Sequence, residues 1–227
     1  MKYDAVFFDL DGTVIDSLQD IVDAVNYTMR HFHLPEASPA ALKPHLGWGV
    51  GTLMQRWLPE LSDARREEIL DFYKPYYAAH AGDKSRPFPG VCEALARLKA
   101  DGLALAILSN KPDAAVQPLA RAYFADTVSL AAGEIEGVRR KPHPDMLQSA
   151  ADRLGVALRR CLYVGDSEVD IDTARNADID CLCVSWGFRT REQLIAAGAE
   201  HIVDTPEEMV AFVESVECGE WSVELRE

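Results

Sequence analysis

The chain has 227 residues, of which 48% are hydrophobic and 26% are charged, and its formal net charge is −14 at pH 7. This composition is typical of a globular protein with a packed core, and it argues against global disorder. The negative charge argues against binding to nucleic acid or to a membrane surface, because both kinds of partner require cationic faces.

The sequence predicts a cytoplasmic protein without a targeting or membrane segment. Met1 and Lys2 lead directly into an apolar run, and no apolar stretch approaches the length of a membrane span. The five cysteines are an odd number without the spacing of a disulfide framework. Cys181 and Cys183 lie in an apolar run, which favours buried thiols over a metal site.

Short apolar runs typical of buried β-strands alternate with helical patterns along most of the chain. This alternation predicts an α/β fold, with a Rossmann-like parallel sheet covered by helices on both faces. The predicted strands are Ala5–Phe8, Leu103–Leu108, Thr127–Leu130, Cys161–Val164, Cys181–Ser185 and, more weakly, His201–Val203. The predicted helices between and after them are Val91–Lys99, residues 144–154, one beginning at Thr190 and one beginning at Pro206.

Residues 18–82 interrupt this alternation, because they contain several helical patterns and no convincing strand. A long helix is predicted over Asp63–Ala79, with a kink or break at Pro75. Loops of this length are uncommon, so the interval is interpreted as a small all-helical cap domain inserted after the first strand. The predicted boundaries are 1–14 and 87–217 for the core domain, 15–86 for the cap and 218–227 for a polar tail.

Polar residues follow four of the predicted strands. Ligands of open parallel sheets bind beyond the carboxyl ends of the strands, so these residues are expected to meet at one edge. They are Asp9 and Asp11 after the first strand, Ser109, Asn110 and Lys111 after the second, Lys141 in the loop after the third, and Asp166 and Asp170 after the fourth. Each group alone could be a turn or a helix cap, and only their convergence indicates a site.

The expected chemistry follows from the clustered carboxylates. Two of them about 4 Å apart repel by roughly 4 kcal/mol at an effective dielectric constant near 20, so a cation or a proton must accompany them. Oxygen ligands without His or Cys favour Mg2+, which also binds phosphate oxygens. An aspartate near Mg2+ can attack phosphorus, and a second carboxyl group two residues on can carry the proton. Asp9 and Asp11 have this spacing, and the expected partner is a small phosphorylated metabolite.

Four ordered motifs resemble those of the haloacid dehalogenase superfamily. They are Asp9-Leu10-Asp11-Gly12-Thr13, Ser109-Asn110, Lys141-Pro142 and Gly165-Asp166-Ser167-X-X-Asp170. The resemblance is closest to the phosphatases with a helical cap, and within them to the phosphoglycolate phosphatases, on Asp16-Ser17, Asn110-Lys111-Pro112 and Lys141-Pro142-His143-Pro144-Asp145. One departure is Asp178, at a helix end where the family usually has glycine.

The resemblance implies a role for each motif residue. Asp9 would be the nucleophile and a metal ligand, and Asp11 the acid/base that also binds the metal through its backbone carbonyl. Ser109 and Asn110 would bind the phosphoryl group, and Lys141 would neutralise charge as a catalytic and substrate-binding residue. Asp166 would be the second metal carboxylate, and Asp170 would support the metal through water or an outer shell. The implied enzyme is a Mg2+-dependent phosphatase acting on a small phosphate monoester such as phosphoglycolate.

Other functions and the specificity residues stay open at this point. A phosphomutase of the β-phosphoglucomutase type would also form the aspartyl-phosphate but would transfer the group back to a sugar. A phosphoaccepting signalling domain would be phosphorylated without catalytic turnover. A phosphonate hydrolase lacks a clear cap lysine, since Lys43 and Lys74 cannot be placed. Gly47-Trp48-Gly49-Val50-Gly51 is either a substrate loop or a connector. Arg86, Arg139 and Arg189 are candidates for a substrate carboxylate, although each could be a surface arginine, and the protein could be a monomer or a homodimer.

Overall fold

The computed structural model describes residues 2–215, so the predicted tail lies outside the described residues. The strands are β1 (Ala5–Phe8), β2 (Ile15–Asp16), β3 (Arg86–Pro87), β4 (Ala104–Pro112), β5 (Leu130–Glu134), β6 (Cys161–Gly165), β7 (Asp180–Val184) and β8 (Ile202–Val203). The helices are α1 (Leu18–His31), α2 (Pro39–Leu42), α3 (Val50–Trp57), α4 (Asp63–His80), α5 (Val91–Ala100), α6 (Asp113–Tyr123), α7 (Asp145–Leu154), α8 (Glu168–Ala177), α9 (Arg191–Ala196) and α10 (Pro206–Ser215).

Six strands form a parallel sheet in the order β5-β4-β1-β6-β7-β8, which confirms the predicted α/β fold. β1 lies in the middle and is buried on both faces, as its unbroken apolar run predicts. Val6 and Phe8 pack on one face against α5 and α10, whereas Ala5 and Phe7 pack on the other against α7. This alternation is the period of two expected for a strand.

The predicted strand Thr127–Leu130 is wrong in its position, because β5 spans Leu130–Glu134. Thr127 instead caps the end of α6, where its amide donates to the carbonyl of Phe124 at 3.0 Å. The sequence of β5, Leu-Ala-Ala-Gly-Glu, has little β-propensity, so its pattern did not indicate a strand. Gly133 is required there, because a Cβ atom would overlap the backbone of Lys111 and Asp113.

The inserted segment is helical throughout and contains α1 to α4, with its own buried core of apolar side chains. It joins the rest of the chain through β2 and β3, which pair antiparallel. The Asp20 carboxylate accepts hydrogen bonds from the backbone amides of Lys84 and Ser85 and from the Ser85 hydroxyl, which fixes the two connections side by side. The domain boundaries themselves remain a prediction.

Local details agree with some sequence predictions and not with others. α4 continues through Pro75 without the predicted break, because this proline lies on an exposed face where the unpaired carbonyl can be hydrated. Asp178 ends α8 in the left-handed conformation, with φ of 55°, as predicted. The four cysteines within residues 2–215 are free thiols. None of the helices in these residues combines the length and hydrophobicity needed to cross a membrane.

Candidate active site

The predicted polar residues meet at the carboxyl edge of the sheet, where β1, β4 and β6 lie side by side. Asp9 directly follows β1, Ser109 lies near the end of β4, and Asp166 directly follows β6. All three side chains are buried. The parallel arrangement brings together residues that lie up to 157 positions apart only because these strands are neighbours.

Lys141 forms the buried ionic centre of this edge. Its Nζ lies 2.9 Å from Asp9 Oδ1 and 2.9 Å from Asp170 Oδ1, and it donates to the Tyr163 hydroxyl at 2.8 Å. Burial favours the neutral amine, but the carboxylates of Asp170 and Asp9 outweigh it and raise the pKa of Lys141. The lysine therefore stays charged and partly compensates two acids.

The Asp170 carboxylate is fully occupied by protein donors. Its Oδ2 accepts from the Asp166 amide at 3.2 Å and from the amide and hydroxyl of Ser167 at 3.1 and 2.7 Å. Its Oδ1 accepts from Lys141 and from the Tyr163 hydroxyl. Asp170 thus positions the residues around it, and this geometry fits the indirect support predicted for it better than direct metal ligation.

Asp166 is held in a close-packed cradle. Its Oδ2 accepts from the Phe188 amide at 2.6 Å, and its Oδ1 accepts from the Thr13 hydroxyl at 3.2 Å. A Cβ atom on Gly12, whose φ is +86°, or on Gly187 would overlap the Asp166 carboxylate. Glycine at these two positions therefore lets two loops close around one buried acid.

The buried acids form a donor set that fits a hard divalent cation. One oxygen each of Asp9, Asp166 and Asp170 lies within 4.8 Å of the others, although the Asp170 oxygens already accept from protein donors. Burial, with further repulsion from Asp170, raises the pKa of Asp9 to about 7 even against the attraction of Lys141. The same causes raise the pKa of Asp166 well above its usual value. The carboxylate forms of these acids therefore need a further cation or a proton nearby, and carboxylate oxygens without nitrogen or sulfur match Mg2+.

Asp11 faces the cleft between core and cap and pairs with Lys111. Lys111 Nζ lies 2.8 Å from Asp11 Oδ1 and also donates to the Tyr77 hydroxyl of α4. Lys111 is 4% exposed, so it is a buried cation. The sequence placed it at a strand end but assigned it no role, because a lysine at such a position is usually solvated.

The side chain of Asn110 has a structural function that the sequence did not reveal. Its Oδ1 accepts from the Lys141 amide at 2.9 Å, and its Nδ2 donates to the carbonyls of Lys141 and Gly47 at 3.0 and 3.1 Å. It therefore clamps the lysine loop and the cap loop to β4. Because the side-chain amide is occupied, a contact with a phosphoryl group would have to come from elsewhere in Asn110. Ser109 lines the cleft, as its predicted role requires.

Three residues of the segment 47–51, which runs into the start of α3, line this cleft, and its function as a substrate loop stays a prediction. The cleft lies between core and cap, and its lining is Asp9, Asp11, Ile21, Leu46, Gly47, Gly49, Val50, Leu53, Tyr73, Tyr77, Ser109, Asn110, Lys111, Pro112 and Phe188. Trp48 Nε1 donates to the Glu168 carboxylate of the core at 3.0 Å. Gly49 has φ of +82°, a conformation that favours glycine.

Comparison with known proteins decides the family. A family model described as haloacid dehalogenase-like hydrolase matches residues 3–178. A phosphoglycolate phosphatase of Xanthomonas campestris pv. campestris is 36% identical over 186 residues, which cover 82% of this chain and 84% of that protein. One from Rhodospirillum rubrum is 32% identical over 209 residues, which cover 88% and 86%.

The chain belongs to the haloacid dehalogenase-like hydrolases. A crystal structure from Lactobacillus delbrueckii subsp. bulgaricus, of a protein provisionally named a phosphoglycolate phosphatase, has a TM-score of 0.90 and 36% identity to this chain. The superposition includes 94% of this chain and 99% of the chain from Lactobacillus delbrueckii. The predicted resemblance is thus confirmed, as is the prediction of an enzyme, a phosphatase.

In this haloacid dehalogenase-like hydrolase the three candidate arginines do not line the cleft. Arg139 pairs with Asp145 at the surface, and Arg86 donates to backbone carbonyls of its own linker. The interpretation of these two as substrate ligands is not supported by their positions. The two cap lysines left unplaced, Lys43 and Lys74, are also absent from the described lining.

Arg189 is instead a buried bridge between core and cap. Its guanidinium makes a bidentate pair with Glu168, with distances of 2.7 and 2.9 Å. It also donates to three cap carbonyls, those of Lys43, Pro44 and Leu46, at 3.2, 3.3 and 3.0 Å. Because Glu168 also accepts from Trp48, this bridge ties both the residues before the cap loop and Trp48 within it to the core.

We expect Arg189→Met to lower kcat/KM for the enzyme's substrate by about 10-fold, because the cap loop loses its anchor while the reacting groups stay in place. The matched control is Arg139→Met, which removes an exposed bidentate pair and should change kcat/KM by less than about 2-fold. Steady-state kinetics on both variants make the comparison. Equal effects of the two substitutions would show that the bridge does not position the loop.

Proposed function

We propose that this phosphatase hydrolyses a small phosphate monoester, with phosphoglycolate as the best candidate, through an aspartyl-phosphate on Asp9. The observation that carries the proposal is the buried Asp9 paired to Lys141, with Asp11 on the same cleft. The relatives named phosphoglycolate phosphatase at 36% and 32% identity support this choice of substrate.

The geometry of Asp9 distinguishes its two carboxylate oxygens. Oδ1 accepts from the Leu10 amide at 2.7 Å and pairs with Lys141 at 2.9 Å. Oδ2 has no protein donor within the described residues, and we assign the attack on phosphorus to it. The fixed Oδ1 orients the carboxylate, so that little reorganisation is needed before the phosphorus–oxygen bond forms.

Asp11, which lines the same cleft, is the proposed proton carrier. It would protonate the leaving oxygen of the ester when the phosphoryl group moves to Asp9. It would then take a proton from the water that hydrolyses the aspartyl-phosphate. General acid–base catalysis of this kind contributes about 10²–10⁴-fold. Apolar side chains line the cleft, among them Leu53 from the cap and Phe188 from the core, and they limit the access of other water.

The proposed cofactor is Mg2+, held by the carboxylates of Asp9 and Asp166 and by the backbone carbonyl of Asp11, with Asp170 supporting it indirectly. When bound, Mg2+ supplies charge neutralisation and polarises the phosphoryl group. The closeness of the buried acids and the raised pKa values of Asp9 and Asp166, which indicate that their carboxylate forms lack a sufficient counter-charge, support this assignment. Lys141 would neutralise part of the negative charge of Asp9 and Asp170 in both steps of the reaction.

A screen of small phosphorylated metabolites with Mg2+ tests the proposed function. Phosphoglycolate, sugar phosphates, nucleotides, pyrophosphate and p-nitrophenyl phosphate are assayed for release of phosphate, and we expect phosphoglycolate to give the highest kcat/KM. Conversion of a sugar 1-phosphate to the 6-phosphate without release would favour the phosphomutase alternative. A stable phosphorylated aspartate without turnover would favour the signalling alternative. Either result would contradict the proposal.

Removal of the metal should abolish activity and lower thermal stability. We expect EDTA to reduce phosphate release by more than about 10³-fold, and Mg2+ in excess to restore it. Because Mg2+ binds the folded state, at a concentration about 100 times its Kd it adds about 2.7 kcal/mol, or a rise in melting temperature of about 5–10 °C. Asp166→Asn should suppress this rise. A rise of equal size in that variant would place the ion elsewhere.

A further inference from the structure

We propose that Lys111 and Tyr77 form a subsite that recognises a carboxylate on the leaving group of the substrate. The proposal rests on the proposed function, because it states what the cleft selects once the phosphoryl group is directed to Asp9. Lys111 comes from the core strand β4, and Tyr77 comes from the cap helix α4. The subsite is complete only where core and cap meet.

The charges of the cleft single out Lys111. Within the described lining it is the one basic side chain, beside the acids Asp9 and Asp11. Lys141 is already held between two carboxylates and a tyrosine hydroxyl. On a chain with a net charge of −14, an anionic leaving group needs a local cation, and Lys111 is placed to provide it.

The hydrogen bonds of Lys111 leave room for a ligand. An ammonium group has three donors, and the Asp11 carboxylate and the Tyr77 hydroxyl take two of them. The third is available to an oxygen of the substrate. The backbone of Lys111 is fixed, since β5 packs against it at Gly133, where no side chain would fit. A buried, pre-positioned ammonium loses little entropy when it binds an anion.

Tyr77 adds a second donor from the cap. Its hydroxyl oxygen accepts from Lys111, so its own proton remains free to donate. Burial raises the pKa of Tyr77 well above its usual value, and the phenol therefore stays protonated. A carboxylate that accepts from Lys111 and Tyr77 together would bridge core and cap. The other cap side chains of the lining are largely apolar, among them Ile21, Val50 and Leu53, and Tyr73 is the one other cap hydroxyl within this described lining.

The test compares phosphoglycolate with its amide, carbamoylmethyl phosphate, which has nearly the same shape but a neutral leaving group. We expect the unmodified enzyme to favour phosphoglycolate in kcat/KM by about 100-fold or more. Lys111→Met should reduce this ratio by about 30-fold, and Tyr77→Phe, which keeps the ring, by about 5-fold. Lys84→Met, an exposed lysine on the linker, is the control and should leave the ratio unchanged.

The ratio separates recognition from positioning. If Lys111 acts only through Asp11, Lys111→Met lowers kcat/KM for both substrates equally, the ratio stays constant, and the subsite is overturned. Should Lys111→Met fail to fold, as judged by its thermal melting, Tyr77→Phe decides alone by the same ratio. An unmodified enzyme that hydrolyses p-nitrophenyl phosphate but does not prefer phosphoglycolate over the amide overturns the subsite only. One that hydrolyses no ester with Mg2+ overturns the proposed function and the subsite with it.

Discussion

Replacing Asp9 by asparagine is expected to lower kcat for phosphate release by at least about 10⁴-fold. Asparagine keeps the size of the side chain and an oxygen for the Leu10 amide, but it removes the nucleophilic carboxylate. Because the buried acids repel one another, losing one charge should cost little stability. Initial rates at saturating substrate, with a melting curve for each protein, measure both effects.

The control for this substitution is Asp152→Asn, on an exposed carboxylate of α7 that accepts a hydrogen bond from Gln148. It makes the same chemical change outside the site and should leave kcat within about 2-fold. An Asp9→Asn enzyme that retained more than about 1% of the kcat would contradict covalent catalysis, because direct attack by water would then suffice.

Replacing Lys141 by methionine is expected to lower the free energy of unfolding by about 3–5 kcal/mol and to abolish activity. Methionine fills much of the same volume, so the main loss is the charge between Asp9 and Asp170. The two carboxylates would then be buried without a counter-charge. Chemical denaturation measures the stability, and phosphate release measures the activity.

Lys84→Met is the control for this second substitution, because Lys84 forms an exposed ion pair with Asp23. We expect it to shift the denaturation midpoint little. A further outcome is informative: if Asp170→Asn is combined with Lys141→Met, the double variant should be less destabilised than the sum of the two single variants, since the unpaired charge is removed. Additive losses would contradict the ionic origin of the effect.

The sequence was sufficient for the motif residues at the sheet edge. Asp9, Asp11, Asp166 and Lys141 each follow a strand or lie in a loop beyond one, and parallel topology brings such positions together. The residue types also restrict the chemistry, because a group of carboxylates with one lysine can bind a metal ion and a phosphate group. The helical insert was predictable for a similar reason, since its hydrophobic period changes from two to 3.6.

The sequence was not sufficient for the residues that join core and cap. Arg189, Lys111 and Asn110 reach the cap across more than 30 positions, to backbone carbonyls or to single side chains that no local pattern marks. A lysine or arginine is solvated far more often than buried, so the burial of Lys111 and Arg189 could be seen only in three dimensions. The position of β5 was predicted wrongly because its residues have a weak preference for strands.

The central claim, that the phosphoryl group passes to Asp9, is tested most directly by trapping it. The enzyme is mixed with Mg2+ and phosphoglycolate, quenched in acid within the first turnover, digested and analysed by mass spectrometry. We predict a peptide in which Asp9 carries the phosphoryl group. Treatment with borohydride should convert this phosphorylated aspartate to homoserine. Release of glycolate with every Asp9 peptide unmodified would contradict the account.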